Sequence, residues 1–325
     1  MNSSIPVLTM NTVDPYRLES FGSCSALGAL VARQCAASPQ HAAFLARRFG
    51  SAAPGELQLC DALASEICKL AGAQLESFIA GYDFICDIQR REELYFRRHQ
   101  AYRLKTAEQA AREVYHDPRY MQCYMRGLLM TQVFWANHTA SMDFYIREFL
   151  PGNPPGYRLL EIGPGHGLLF SRAAADERAG MLVGWDLSPQ SIAETRNALA
   201  SLGVTRPCRL EVRDLFDARG CADRFDAVVF SEILEHLEQP GRALETLRFI
   251  MRPGARIYIN VPVNSPAPDH LFLLRSPEEA VAFVESHGFQ IHSKAFFPAT
   301  NYSMPAARKH SLSISVCMVA VRPAH

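Results

Sequence analysis

Acids and small polar residues close short strand-like runs throughout the second half of this chain. Glu161 ends one such run and is followed by Gly163-Pro164-Gly165-His166-Gly167. Asp186 follows the run 181–185, Asp214 the run 208–213, and Ser231-Glu232 the run 225–230. The clustered glycines allow a sharp turn and a close backbone approach to a ligand, where a Cβ would clash. The next helix starts there with unpaired N–H groups. Taken alone, the turn is an ordinary strand-to-helix connection; the acids that follow give it chemistry. Asp186 stands about twenty residues after the loop, where a carboxylate can accept both hydroxyls of a ribose. The competing role is capping the helix that begins at Ser188-Pro189. Asp214 can accept an adenine amino hydrogen, with Leu215 or Phe216 against the ring, or can simply close a turn. Glu161 either organises the loop backbone or meets a ligand's amino group. A dinucleotide loop has the order G-x-G-x-x-G, and an acid beside a pyrophosphate is repelled. Beside a sulfonium and an α-ammonium the same acid is favourable. The loop therefore suits a positively charged nucleoside ligand better than NAD.

These residues need strands behind them. From residue 157 onwards strand-like runs (158–162, 181–185, 208–213, 225–230, 255–261) alternate with helical ones (168–176, 189–202, 241–251, 276–287). The last two strands, 289–297 and 311–321, are joined by a loop with no helix, so they should pair antiparallel. The alternation predicts a doubly wound, Rossmann-like α/β fold: a mostly parallel sheet with an antiparallel last strand. Such sheets bind ligands beyond the carboxyl ends of their strands, where the acids fall. Residues 24–140 instead show helical periodicity, rich in Ala, Leu, Glu, Arg and Gln, and 118–150 reads as one long helix. Pro151-Gly-Asn-Pro-Pro-Gly156 is the clearest linker. The expected division is an N-terminal all-helical domain over 1–150 and an α/β domain over 151–325.

Composition narrows the function. Hydrophobic residues make up 48% and charged residues 20%, with a formal net charge of zero. Nucleic acid is not expected as a partner, because phosphate neutralisation needs clustered Lys and Arg. No apolar run approaches the roughly 18 residues of a membrane span. Residues 1–12 lack a signal peptide's basic start and apolar centre, and residues 1–18 read as an irregular lead-in. The nine cysteines, at 24, 35, 60, 68, 86, 123, 208, 221 and 317, form no C-x-x-C pair. They are expected to be reduced and buried, with no metal site, in a cytoplasmic protein.

The ordered set Leu-Leu-Glu161-Ile-Gly163-Pro164-Gly165-His-Gly167, Asp186-Leu187-Ser-Pro, Asp214-Leu215 and Phe225-Asp-Ala-Val-Val-Phe-Ser231-Glu232-Ile-Leu-Glu-His236-Leu resembles the class I S-adenosylmethionine-dependent methyltransferase family. Arg252-Pro-Gly254 before a strand fits the same pattern. The resemblance covers about residues 157–321 and implies S-adenosylmethionine (SAM) as cofactor. It implies that the loop approaches the methionine part and that Asp186 holds the ribose. It also implies that Asp214 lies near the adenine and that Ser231 and Glu232 border the sulfonium. Leu187 and Leu215 belong to the same expected cofactor site. The family dictates no one substrate, and residues 1–150 match none of its motifs.

Transfer from a sulfonium is an in-line displacement, in which the protein positions a nucleophile and excludes water. His236 could orient or deprotonate the acceptor, or form a wall of the cofactor site. Asp269 and His270 lie in a proline-rich loop after the fifth strand, facing the ligand edge; the competing role is to organise that loop. Tyr124 and Trp135, among other aromatics before the linker, could lie over a sulfonium through cation–π attraction, or form a helical core. Asn137 and His138 are harder to explain as core and are candidates for substrate contact. The expected activity is SAM-dependent methylation of a small molecule, in specialised metabolism, beneath an N-terminal helical lid. One alternative transfers or cyclises the aminocarboxypropyl arm and releases methylthioadenosine. Another is a SAM-binding partner subunit without catalysis. The helical region could also dock a carrier protein or form a homodimer surface.

Overall fold

The computed structural model describes residues 21–220 and 223–324; the lead-in expected over 1–18 and Cys221 lie outside them. Seven strands, β1 (Tyr157–Ile162), β2 (Ala179–Asp186), β3 (Arg209–Val212), β4 (Phe225–Ser231), β5 (Met251–Val263), β6 (Gln290–Pro298) and β7 (Ile314–Val321), form one sheet in the order 3-2-1-4-5-7-6. The pairs β1–β2, β1–β4, β2–β3 and β4–β5 are parallel. β7 runs antiparallel to both β5 and β6, as the doubly wound reading with a reversed last strand requires.

Helices precede the sheet: α1 (Ser25–Ala37), α2 (Ala42–Gly50), α3 (Pro54–Ala71), α4 (Leu75–His99), α5 (Ala107–Ala110), α6 (Pro118–Phe134) and α7 (Ala136–Phe144). Within the sheet region lie α8 (Leu168–Ala175), α9 (Pro189–Ser201), α10 (Pro240–Ile250), α11 (Pro277–Ser286) and α12 (Met304–Lys309). Several start as their sequences dictate. Asp117 accepts from Arg119 N and Tyr120 N at the start of α6, and Ser188 and Ser276 cap α9 and α11 with a proline at the first helical position. Gly81 does not interrupt α4. It lets α4 and α6 cross closely: a Cβ on Gly127 would stand 2.3 Å from the Gly81 carbonyl oxygen.

Two expected elements differ. Residues 118–150 do not form one helix, because Trp135 is extended (ψ 119) between α6 and α7. Side chains supply bonds around the break: Thr139 Oγ1 donates to Gln132 O, and Thr131 Oγ1 lies 2.9 Å from His138 Nδ1. Such local bonds compete with the helical ladder, while the apolar period continues through the break. The β6–β7 connection holds the short helix α12, whose cap is Ser303; six residues are too few for periodicity to reveal.

Strand residues alternate between two cores. Leu159, Ala227, Val229, Tyr258, Cys317 and Val319 face one cluster, which continues through α8 into α6, α4, α3 and α1. Leu160, Val228, Phe230, Ile257, Ile259, Val316 and Met318 face the other, beneath α10 and α11. One apolar core thus runs from the N-terminal helices onto a face of the sheet. No described helix is long and apolar enough to cross a membrane.

Candidate active site

The parallel strands β1 and β4 are neighbours although β2 and β3 intervene in sequence, so the chain leaves their carboxyl ends in opposite directions. A crevice opens at such a point. The glycine turn rises there from β1. Gly163, Gly165 and Gly167 have φ of 64°, 49° and 76°, the left-handed region that side chains avoid. At Gly163 a Cβ would also meet Ile233 Cδ1 at 2.6 Å. The loop is anchored from both sides: Gly163 N donates to Trp185 O (2.8 Å) and Thr195 Oγ1 donates to Gly165 O (2.8 Å). Pro164 packs toward β2, its Cγ 3.2 Å from where a Cβ on Gly184 would stand.

Behind the loop, Glu161 is buried, and its Oε2 has no hydrogen-bond partner. Burial pushes this carboxyl well above the usual carboxylate range. A buried unpaired carboxylate oxygen needs a donor or a cation, and a ligand ammonium is one. At the end of β2, Asp186 Oδ1 accepts from Ser188 N (2.9 Å) and Oδ2 from Ser191 Oγ (2.6 Å). The capping contacts considered from sequence are therefore present, and each oxygen keeps a further lone pair. The next side chain, Leu187, is 70% exposed, an apolar surface at the crevice rim. Past β3, Asp214 Oδ1 accepts from Phe216 N (2.8 Å), while Leu215 is buried. Past β4, Ser231 pairs with Asn260 of β5, and Glu232 adopts φ 54°. A non-glycine residue there stores strain of the kind found at functional sites. These features suit a nucleoside carrying a cationic amino-acid arm.

A second group of side chains gathers at the ends of β4 and β5. Asp269 accepts from Tyr115 Oη (3.0 Å, on Oδ2) and from Tyr124 Oη (3.2 Å, on Oδ1). His236 Nδ1 lies 3.4 Å from Asp269 Oδ2 and 3.2 Å from Asp269 O. Burial alone would raise the Asp269 carboxyl, but His236, His270 and the Tyr115 hydroxyl hold it below its ordinary value. His270 Nδ1 lies 2.6 Å from Ser265 O, and its ring meets His236 edge to face at 4.8 Å. Glu235 is fully buried beside them. Burial and the neighbouring Glu232 keep its carboxyl well above the usual range, and desolvation raises the Glu232 carboxyl as well.

Of the four substrate candidates, Trp135 and His138 stay together, while Tyr124 and Asn137 reach different partners. Tyr124 reaches Asp269. His138 stands near His166 of the glycine turn, and burial keeps both rings neutral, with pKa about 4. Trp135 packs partly buried against the helical core, donates to Tyr82 Oη (3.3 Å) and meets the His138 ring edge to face at 5.0 Å. Asn137 faces the other way and donates to Ser315 Oγ (3.0 Å). It lines a recess of about 730 Å³ between α2, α3, α7 and the 298–303 loop, away from the glycine turn. Sequence reasoning passed over Tyr115, Tyr102 and Glu235. The spacing Glu232-x-x-Glu235-His236 was visible as a signal; Tyr102 and Tyr115 carried none, since they come from the short segments on either side of α5.

A family model described as a methyltransferase domain matches residues 134–300, just over half the chain and beginning inside α6. A ubiquinone biosynthesis O-methyltransferase from Aeromonas salmonicida (strain A449) is 27% identical over 144 residues, covering 44% of this chain and 58% of the relative. The enzyme of the same name from Cereibacter sphaeroides (strain ATCC 17025 / ATH 2.4.3) is 34% identical over 114 residues, covering 34% and 43%. The chain spans about half the length of these curated relatives. Among solved structures, the N-methyltransferase NodS from Bradyrhizobium japonicum WM9, in complex with S-adenosyl-L-homocysteine, is 14% identical. It covers 58% of this chain and 88% of its own, with a TM-score of 0.44.

Proposed function

Since this chain belongs to the methyltransferase domain family and is a SAM-dependent transferase, we propose that it methylates a hydroxyl group of a small molecule. The relatives named for O-methylation support an oxygen acceptor. One observation carries the reading: Tyr115 and Tyr124 both donate to Asp269, which ties the helices over the ends of β4 and β5 beside the glycine turn. Residues 1–150 act in this reading as lid and substrate domain, and 151–325 as the cofactor domain.

SAM, when bound, supplies a methyl group made electrophilic by a sulfonium. The turn Gly163-Pro164-Gly165-His166-Gly167 presents backbone to the methionine arm, and the unpaired oxygen of Glu161 takes its ammonium. Asp186 accepts from the ribose hydroxyls. Leu187 and Leu215 cover the adenine faces, with Asp214 at its edge. Ser231 and Glu232 border the reacting centre. On the acceptor side, Asp269 holds the His236 ring through Nδ1, which leaves the Nε2 lone pair facing the acceptor side of the crevice. The tyrosine and histidine wall excludes water.

The test is product analysis by mass spectrometry after incubating the protein with SAM and fractionated small-molecule extract. S-adenosylhomocysteine together with an acceptor 14 mass units heavier (roughly one CH2, the net change that the methyl-transfer account requires) is expected. Methylthioadenosine would move the reading to transfer of the aminocarboxypropyl arm. SAM bound but never consumed would leave only a binding subunit.

A further inference from the structure

We propose that Glu235, His236 and His270 bind a divalent first-row metal ion at the acceptor side of the crevice, and that this ion activates the acceptor hydroxyl. Ligand atoms of the three residues all lie within 4.8 Å of one another. Glu235 is 0% exposed, yet neither of its carboxylate oxygens has a hydrogen-bond partner, and Glu232 Oε1 has none either. The buried Glu235 carboxylate and the half-buried Glu232, whose Oε1 is itself buried, cannot both be charged without a cation or a shared proton. The histidines favour the cation. Because a carbonyl only accepts, the 2.6 Å contact of His270 Nδ1 with Ser265 O places a proton on Nδ1 and leaves the Nε2 lone pair free. His236 Nδ1 faces only Asp269 oxygens, at 3.2 and 3.4 Å, so its Nε2 is likewise the free nitrogen; it lies 3.9 Å from Glu235 Oε1. An imidazole whose other nitrogen donates to a carboxylate or carbonyl is the arrangement that orients a metal-bound histidine.

The backbone holds the third ligand in place. Leu271 N and Phe272 N both donate to Glu235 O, at 2.7 and 2.9 Å, fastening the 269–272 loop to the turn after β4. Tyr102, whose Oη accepts from Ser265 N, stands edge to face with His270 at 5.5 Å. Two imidazoles and a carboxylate leave coordination positions open, and mixed nitrogen and oxygen donors suit ions such as Mn²⁺ or Zn²⁺. An acceptor hydroxyl fills one such position as the metal polarises it. The hydroxyl proton passes to Glu232. The freed oxygen pair forms the bond to the methyl carbon, and the pair of the broken carbon–sulfur bond stays on sulfur. Nothing is oxidised or reduced. This deepens the reading above and rests on its placement of Glu232 at the reacting centre.

The experiment uses the full-length protein without an affinity tag, stripped with chelator and dialysed. Mn²⁺ uptake is followed by loss of the free-ion electron paramagnetic resonance signal, Zn²⁺ uptake by calorimetry, and SAM affinity separately by calorimetry. One ion per chain is expected. E235Q and H270N should each weaken uptake at least ten-fold, and D269N by about ten- to a hundred-fold through His236. SAM affinity should stay within about two-fold, since ligand truncation need not disturb the glycine turn. Should E235Q fail to fold, as its melting would reveal, the partly exposed His236 reads the same site through H236N. No uptake, or uptake unchanged by E235Q and H270N, overturns the cation site; the latter result means an adventitious ion only, with the carboxylates sharing a proton. SAM binding without metal uptake leaves the methyltransferase reading standing. Metal uptake without SAM binding does the reverse.

Discussion

At the scale of single residues, the glycine turn makes the sharpest claim. Gly163 combines φ 64° with a 2.6 Å approach to Ile233, so G163A meets both backbone strain and a clash, together costing about 1–3 kcal/mol. Calorimetry should show a loss of SAM affinity of roughly ten-fold or more; unchanged affinity would remove the loop from the cofactor site. Asp186 combines the observed turn contacts with the proposed role of ribose acceptor. D186A deletes both the proposed ribose acceptor and the contacts to Ser188 N and Ser191 Oγ. SAM affinity should fall about ten-fold or more, while loss of the turn contacts costs only about 1 kcal/mol of stability. A large stability loss with intact SAM affinity would assign Asp186 to the turn alone.

At the scale of elements, the break at Trp135 re-aims the chain. It turns Asn137 toward β7 and leaves His138 near the glycine turn. Asn137 joins α7 to Ser315 and to Thr300, whose Oγ1 lies 3.5 Å from Asn137 Oδ1. N137A should lower stability by about 1–3 kcal/mol, because it strands buried hydroxyls, with little change in SAM affinity. A selective loss of activity would instead return Asn137 to the substrate site. His138 and His166 predict a pH dependence. Both are held neutral, with pKa about 4, by burial, and for His138 by His166 as well. The unfolded rings take protons near pH 6.5. The folded state therefore binds fewer protons between these values, and stability present above pH 6.5 is lost as pH falls toward 4. Melting temperature should drop between pH 7 and pH 5, and H138Q should make that drop shallower. An identical pH profile in H138Q would exclude His138 as a source.

At the scale of the whole molecule, the helices and the sheet share a core. Phe149, Tyr145 and Phe144 surround Tyr258, whose Oη donates to Ser141 O (2.9 Å). Arg172 of α8 pairs with Glu66 of α3 at 2.7 Å. A fragment of residues 151–325 would uncover Leu159, Val229, Tyr258 and Val319 together, each buried apolar side chain being worth about 1.5–3 kcal/mol. The fragment is expected to aggregate, and the full chain to melt in one transition. A soluble fragment that binds SAM normally would show that the two parts fold independently.

Local pattern carried much of this protein. The strand-end positions of Glu161, Asp186, Asp214 and Ser231 were legible because strand alternation and helix periodicity are short-range signals, and proline and glycine mark their ends. The antiparallel β7 was legible because its connection to β6 reads as a loop with no crossover helix; the six-residue α12 found there does not carry the chain across the sheet. The break at Trp135 and the helix α12 were illegible, because hydroxyl-to-carbonyl bonds and six-residue helices leave no period. Tertiary structure alone decided which distant residues meet. Tyr115 and Tyr124 reach Asp269 from another part of the chain, and His270 meets Glu235 and His236 across the β4–β5 crossover. The types of those residues are written in the sequence. Their convergence is a property of the sheet order 3-2-1-4-5-7-6 and of the core that presses the helices onto it.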